Sequence, residues 1–112
     1  MKKKLNVLVL SPHADDAELG MGSTIAKLVK QKNNVTILTA ILPKENLSGR
    51  VDKYMENKRY SEQLKSSNLL GAKLQTLNLD PYDFKFNREY VKIFDEKISF
   101  ILSCVYTCLL QE

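Results

Sequence analysis

The sequence predicts an α/β domain in which a mainly parallel sheet is built from strands that alternate with helices. Three observations predict it. Leu5 to Leu10 and Val35 to Leu42 are nearly continuous apolar runs of strand length, as expected for strands buried on both faces. Between them, Leu19, Ile25, Leu28 and Val29 recur at helical spacing. The same strand and helix alternation then continues downstream. Right-handed crossovers with helices on both faces follow from such a pattern, giving a three-layer sandwich.

Taken in order, the first strand is bounded by Pro12, and the first helix runs from Asp16 to about Lys32. Its acidic residues open the helix and Lys27, Lys30 and Lys32 lie toward its end, the arrangement the helix dipole favours. Asn33-Asn34 breaks the helix, and Pro43 stops the second, β-branched strand. Lys44 to Asp52 has no period and reads as a loop. Tyr54 to Leu70 resumes helical spacing through Tyr60, Leu64 and Asn68, with Gly71 where a helix would end. Leu74 to Leu79 forms a third strand closed by Asp80-Pro81. Tyr90, Ile93, Phe94, Ile98 and Ile101 mark a third helix, and Cys104-Val105-Tyr106-Thr107 suggests a fourth strand.

A chain of 112 residues fits one domain, and its net charge of +4 favours solubility without forming a basic stripe, so no nucleic-acid partner is implied. Lys2, Lys3 and Lys4 before an apolar run imitate a signal peptide, but Asn6 interrupts the run and no small-residue cleavage site follows. No run approaches the ~20 apolar residues of a membrane span. The expectation is a soluble, cytoplasmic protein with no membrane partner. Cys104 and Cys108 read as buried apolar residues, because on a strand a separation of four places them about 13 Å apart, too far to share an ion.

Chemistry concentrates in Ser11-Pro12-His13-Ala14-Asp15-Asp16-Ala17-Glu18-Leu19-Gly20, where the single histidine and two adjacent carboxylates follow the first strand. Ligands of parallel sheets bind beyond the carboxyl ends of the strands, where these residues lie. Imidazole nitrogen and carboxylate oxygen suit Zn²⁺, and a carboxylate beside a metal-activated water can accept its proton. Neighbouring aspartates point different ways, so one can bind while the other acts as base. The competing reading is helix capping by Asp15 or Asp16. Gly20-Met21-Gly22 resembles the start of a dinucleotide fingerprint, but Ile25 occupies the third glycine position and the glycines lie inside the helix. Close packing of the helix on the sheet explains these glycines better.

The segment SPHADDAELGMGSTIAKL resembles the opening block of the LmbE-like, or PIG-L-like, N-deacetylase family, with Ala14 at a variable place. Arg59-x-x-Glu62, Leu70-Gly71 and a strand ending in Leu79-Asp80 resemble that family's next recognisable stretch. The resemblance implies a Rossmann-like fold and Zn²⁺-dependent hydrolysis of an N-acetyl group on a small molecule, often an amino sugar or its conjugate. His13 and Asp16 are then the metal ligands, Asp15 the general base for the attacking water, and Arg59 a substrate-binding residue. An arginine on an amphipathic helix is more often a solvated or ion-paired residue.

Members of the family complete the site with a later block that supplies histidines and an aspartate, including a third metal ligand. Here Val105-Tyr106-Thr107 is followed by Cys108-Leu109-Leu110-Gln111-Glu112, without histidine, so this chain offers no third ligand. Residues 1–112 are therefore expected to form a partial deacetylase domain, truncated after about four strands and catalytically impaired alone. A frameshifted or early-ended gene, a deliberately shortened chain and a divergent protein all fit. The rival classes are a non-catalytic α/β fragment or binding module that pairs through an exposed last strand, and a nucleotide-binding domain. The sequence leaves the oligomeric state open.

Overall fold

A computed structural model describes residues 4–41, 53–77, 79 and 88–110, with the side chains of 102–110 left outside the description. The elements are β1 (Asn6–His13), α1 (Asp16–Lys30), β2 (Asn34–Ile41), α2 (Lys53–Leu70), β3 (Lys73–Thr76) and α3 (Arg88–Leu110). The expected loop at 44–52 and the Asp80-Pro81 stop lie outside the described residues. Two compact units divide the chain, residues 1–81 and 82–112.

In the first unit the three strands are parallel and ordered β1-β2-β3. β1 extends three residues past the expected Leu10 and carries His13 into the ladder, where it is the register partner of Ile41. Pro12 is tolerated because β1 is a terminal strand of the described sheet, and an edge position needs no N–H from it. Beyond Thr76 the chain keeps bonding to β2, through Leu77 N–H to the Thr39 carbonyl and Leu79 N–H to that of Ala40.

Val9, Ala17, Ile25, Val35, Ile37 and Ala72 form the core, with Leu28, Val29, Leu70 and Leu74 packed against it. The odd-numbered residues of β1 and β2 thus face α1 and α2. Two successive crossovers of one hand, advancing in one direction across a sheet, put both helices on one face. Ile25 and Ile37 are fully buried, and each contributes ~1.5–3 kcal/mol of hydrophobic stabilisation.

Both helices end in the same backbone device. After α1, Lys32 N–H bonds to the Val29 carbonyl and Asn33 N–H to that of Leu28; after α2, Gly71 N–H bonds to Asn68 and Ala72 N–H to Ser67. The residue closing each turn is left-handed, Lys32 at φ 71° and Gly71 at φ 79°. Glycine suits the second position for another reason: a Cβ there would lie 2.7 Å from Cγ1 of Val29.

Two expectations need correction, and α2 presents an unexpected face. The face of α2 turned inward carries Gln63 and Ser67, while Tyr60, Leu64 and Asn68 are exposed. Gly20 and Gly22 do not allow α1 to approach the sheet, because a Cβ on either would meet open space. Gly20 is exposed and Gly22 half-buried, and two residues apart they stand on different sides of the helix.

The second unit holds α3, whose surface includes a Lys92–Glu96 ion pair of 3.9 Å and Lys97 Nζ 5.8 Å from the Phe100 ring centre. The expected fourth strand at Cys104–Thr107 is helical instead. The apolar spacing of Phe94, Ile98 and Ile101 continues in phase through Val105, and no Gly or Pro interrupts it. The strand spacing that separated Cys104 from Cys108 therefore does not apply. Among the described residues, no helix is long and apolar enough to cross a membrane.

Candidate functional site

Only Ala14 and Asp15 separate the end of β1 from the start of α1. So short a turn forces an unusual backbone, and Asp15, at the helix N-cap, takes φ 78°, ψ −22°. Aspartate tolerates this left-handed region better than most residues, at a cost of order 1–2 kcal/mol. Its carbonyl accepts the first helical bond from Leu19 N–H at 2.8 Å. Its exposed carboxylate makes no cap hydrogen bond.

Asp16 turns back toward the strand. Its Oδ2 accepts the backbone N–H of His13 at 2.9 Å and lies 3.6 Å from His13 Nδ1. The two side chains are 57% and 48% exposed, so solvent and solutes reach the pair. Capping thus takes an inverted form here: the acid in the first turn satisfies the last strand residue, and the helix end gains from its charge.

His13 and Asp16 bring together an imidazole nitrogen and a carboxylate oxygen, two of the donor types that zinc accepts. Zinc held at ~2.0–2.2 Å in tetrahedral geometry separates its donors by roughly 3.4 Å. The 3.6 Å between Nδ1 and Oδ2 is close to that spacing. Among the described residues, no group of three or more His, Cys, Asp or Glu side chains could hold a metal.

Arg59 lies in the first two turns of α2 and forms an ion pair with Glu62 at 3.2 Å, both side chains being about half exposed. It stands one turn before Gln63, whose Nε2 donates to Thr39 Oγ1 at 2.7 Å. Helices of this topology run opposite to the strands, so four residues of helix (~6 Å) raise Arg59 above the level of Thr39. Two residues of strand (~6.6 Å) raise Ile41 and its partner His13 comparably. Arg59 is thus at the right end of the sheet, but it is engaged by Glu62.

Sequence reasoning missed the polar layer beneath the site. Ser11, Thr39, Gln63 and Ser67 are all buried, with Ser11 and Thr39 register partners on β1 and β2. Ser11 Oγ donates to the His13 carbonyl, and Ser67 Oγ to that of Gln63 at 2.9 Å. Ser66 Oγ ties α2 to α1 through Glu18 Oε1 at 3.1 Å. The available signal was Ser11 and Thr39 occupying inward positions of otherwise apolar strands, each two residues after a core residue, Val9 and Ile37.

The family model described as PIG-L, GlcNAc-PI de-N-acetylase, matches residues 8–107. The chain belongs to the PIG-L family. Its fold is similar to the N,N'-diacetylchitobiose deacetylase of Pyrococcus horikoshii at 28% identity and a TM-score of 0.67, over 78% of this chain and 34% of that one. A deacetylase of the A40926 pseudoaglycone matches at 24% identity and a TM-score of 0.68, over 91% and 48% of the two chains. The 4-carboxy-2-hydroxymuconate hydratase of Pseudomonas putida matches at 17% identity and a TM-score of 0.66, over 76% and 38%. At those lower identities the likeness is one of fold, and hydration is a different reaction from deacetylation. This PIG-L chain spans about a third to a half of the length of these structures.

Proposed function

We propose that this chain carries a metal half-site of a zinc-dependent N-deacetylase, acting on a small N-acetylated molecule, sugar-linked by analogy with the diacetylchitobiose enzyme. The observation that carries the reading is the meeting of His13 and Asp16 at the carboxyl end of β1 in a chain of the PIG-L family. His13 Nδ1 and Asp16 Oδ2 would hold the ion, which supplies a Lewis acid for the amide carbonyl and lowers the pKa of water. Asp15, whose carboxylate is not spent on capping, takes the proton of the attacking water and returns it to the leaving amine. Acetate and a free amine result. Arg59 would contact the substrate only after giving up Glu62, so its role there ranks below the other three.

The 112-residue chain alone is proposed to bind zinc weakly and turn over slowly. Its one imidazole cannot both ligate the metal and stabilise the oxyanion, and loss of an oxyanion donor costs ~10²–10³ in rate. The test is zinc titration against a chromophoric chelator, with acetate release from an N-acetylated amino sugar followed in parallel. His13→Ala is expected to abolish zinc uptake without changing the α/β circular dichroism. Equal zinc uptake by the variant removes the site.

One observation favours a second reading, a non-catalytic module that associates through a sheet edge: β1 is terminal in the described sheet, and Leu5 and Leu10 are exposed. Concentration-dependent association without metal uptake would support this module over the enzyme.

A further inference from the structure

We propose that Ser11 is a positioning residue for His13, so that a hydroxyl buried beneath the site sets how well the His13–Asp16 pair grips a divalent cation. The inference rests on the metal reading above. Ser11 is 2% exposed and lies on the inward side of β1, next to the fully buried Thr39 of β2. Its Oγ donates to the carbonyl of His13, two residues on. The N–H of the same residue is held by Asp16 Oδ2 at 2.9 Å. Both polar backbone groups of His13 are therefore taken by side chains.

The clamp matters because of where it sits. His13 ends a strand, follows a proline with no N–H, and precedes a turn whose Asp15 is left-handed. Its peptide units lack the two-sided ladder that fixes residues such as Ile37. A serine hydroxyl bonded to a carbonyl two residues ahead is a local turn device that holds ψ of the intervening chain. With both peptide planes fixed, the Cα–Cβ direction of His13 is fixed, so only the two side-chain torsions remain to be set for Nδ1 to lie 3.6 Å from Asp16 Oδ2. Without the hydroxyl, the carbonyl swings toward solvent and the pair spends less time in the gripping geometry. Apparent affinity falls by the fraction of time lost. Partners of metal ligands commonly contribute ~10–100-fold in metal affinity.

The test uses the whole chain, zinc alone as the probe, and the fact that every imidazole resonance belongs to His13, the single histidine. Ser11→Ala is expected to weaken zinc binding by ~10–100-fold and to shift the imidazole ¹H–¹⁵N signals of the zinc-free chain, with far-ultraviolet circular dichroism retained. Ser11→Thr, which keeps the hydroxyl, is expected to restore both readings; Ser11→Cys, a weak donor of similar volume, serves if alanine prevents folding, and should fall between. Wild-type imidazole signals in Ser11→Ala, or in Ser11→Cys where alanine does not fold, overturn the positioning role. Equal zinc uptake by wild type and His13→Ala overturns the metal reading instead, and the imidazole signals still decide the role of Ser11.

Discussion

One oxygen of Asp16, Oδ2, lies 2.9 Å from the backbone nitrogen of His13 and 3.6 Å from Nδ1 of its ring. A single carboxylate thus joins the strand end to the helix start and stands beside the imidazole. The structural and the metal-binding roles of Asp16 can be separated by chemistry. Asp16→Asn keeps an oxygen for the His13 N–H and loses the charge, so zinc affinity should drop more than tenfold while stability falls only by the ~0.3–1 kcal/mol that the charge contributes at the helix end. Asp16→Ala should lose the affinity and ~1 kcal/mol of stability beyond that by denaturant titration. Equal zinc affinity in Asp16→Asn and wild type would remove Asp16 from the ligand set.

Asp15 poses the opposite trade. Its left-handed backbone is strained and its side chain makes no cap bond, so Asp15→Gly should stabilise the chain by up to ~1 kcal/mol. Asp15→Asn, also tolerant of that conformation, should leave stability and zinc affinity unchanged. Either variant should lower acetate release by ~10²–10⁴-fold, the usual contribution of a general base. Undiminished release in Asp15→Asn would take the proton-transfer role away from it.

Much of this arrangement was legible in the sequence, for identifiable reasons. Leu5 to Leu10, the helical period after Asp16 and the β-branched run from Val35 gave strand, helix and strand in order, and a spacing of three residues brought His13 and Asp16 together across one tight turn. What escaped depended on neighbours. Pro12 reads as a strand stop until β1 is seen to be terminal in the described sheet. Gln63 and Ser67 are polar and lie off the Tyr60, Leu64 and Asn68 spacing, yet Gln63 finds Thr39 and Ser67 bonds to its own helix, and both are buried. Cys104-Val105-Tyr106-Thr107 has strand composition, but a helix already propagating from Arg88 adds one backbone bond per residue and overrides so short a preference. The clamp on His13 from Ser11 left no spacing signature at all.

The Gln63–Thr39 bond should behave as a coupled buried pair. Among the described residues Gln63 Oε1 is buried without a hydrogen-bond partner. Gln63→Met alone should cost ~1–3 kcal/mol by stranding the Thr39 hydroxyl, and Thr39→Val alone a similar amount. The double variant replaces both polar groups and should be less destabilised than the sum of the two, by ~1 kcal/mol or more in a denaturant double-mutant cycle. Strict additivity would mean that the two side chains are not coupled.

The two helix ends make a matched experiment, because the same turn is closed by lysine after α1 and by glycine after α2. At Lys32, φ 71° strains a side chain that glycine would not carry; Lys32→Gly should stabilise the chain, by less than the full ~1–2 kcal/mol of left-handed strain because glycine also frees the unfolded chain. At Gly71 both the φ of 79° and the 2.7 Å approach to Val29 Cγ1 oppose a Cβ. Gly71→Ala should therefore destabilise by ~2–5 kcal/mol, the sum of backbone strain and overpacking. Val29→Ala in the same chain removes the obstructing methyls, so the added cost of Gly71→Ala should shrink to the backbone share alone. Were the cost equal in both backgrounds, the contact with Val29 would not be the reason glycine stands at this turn.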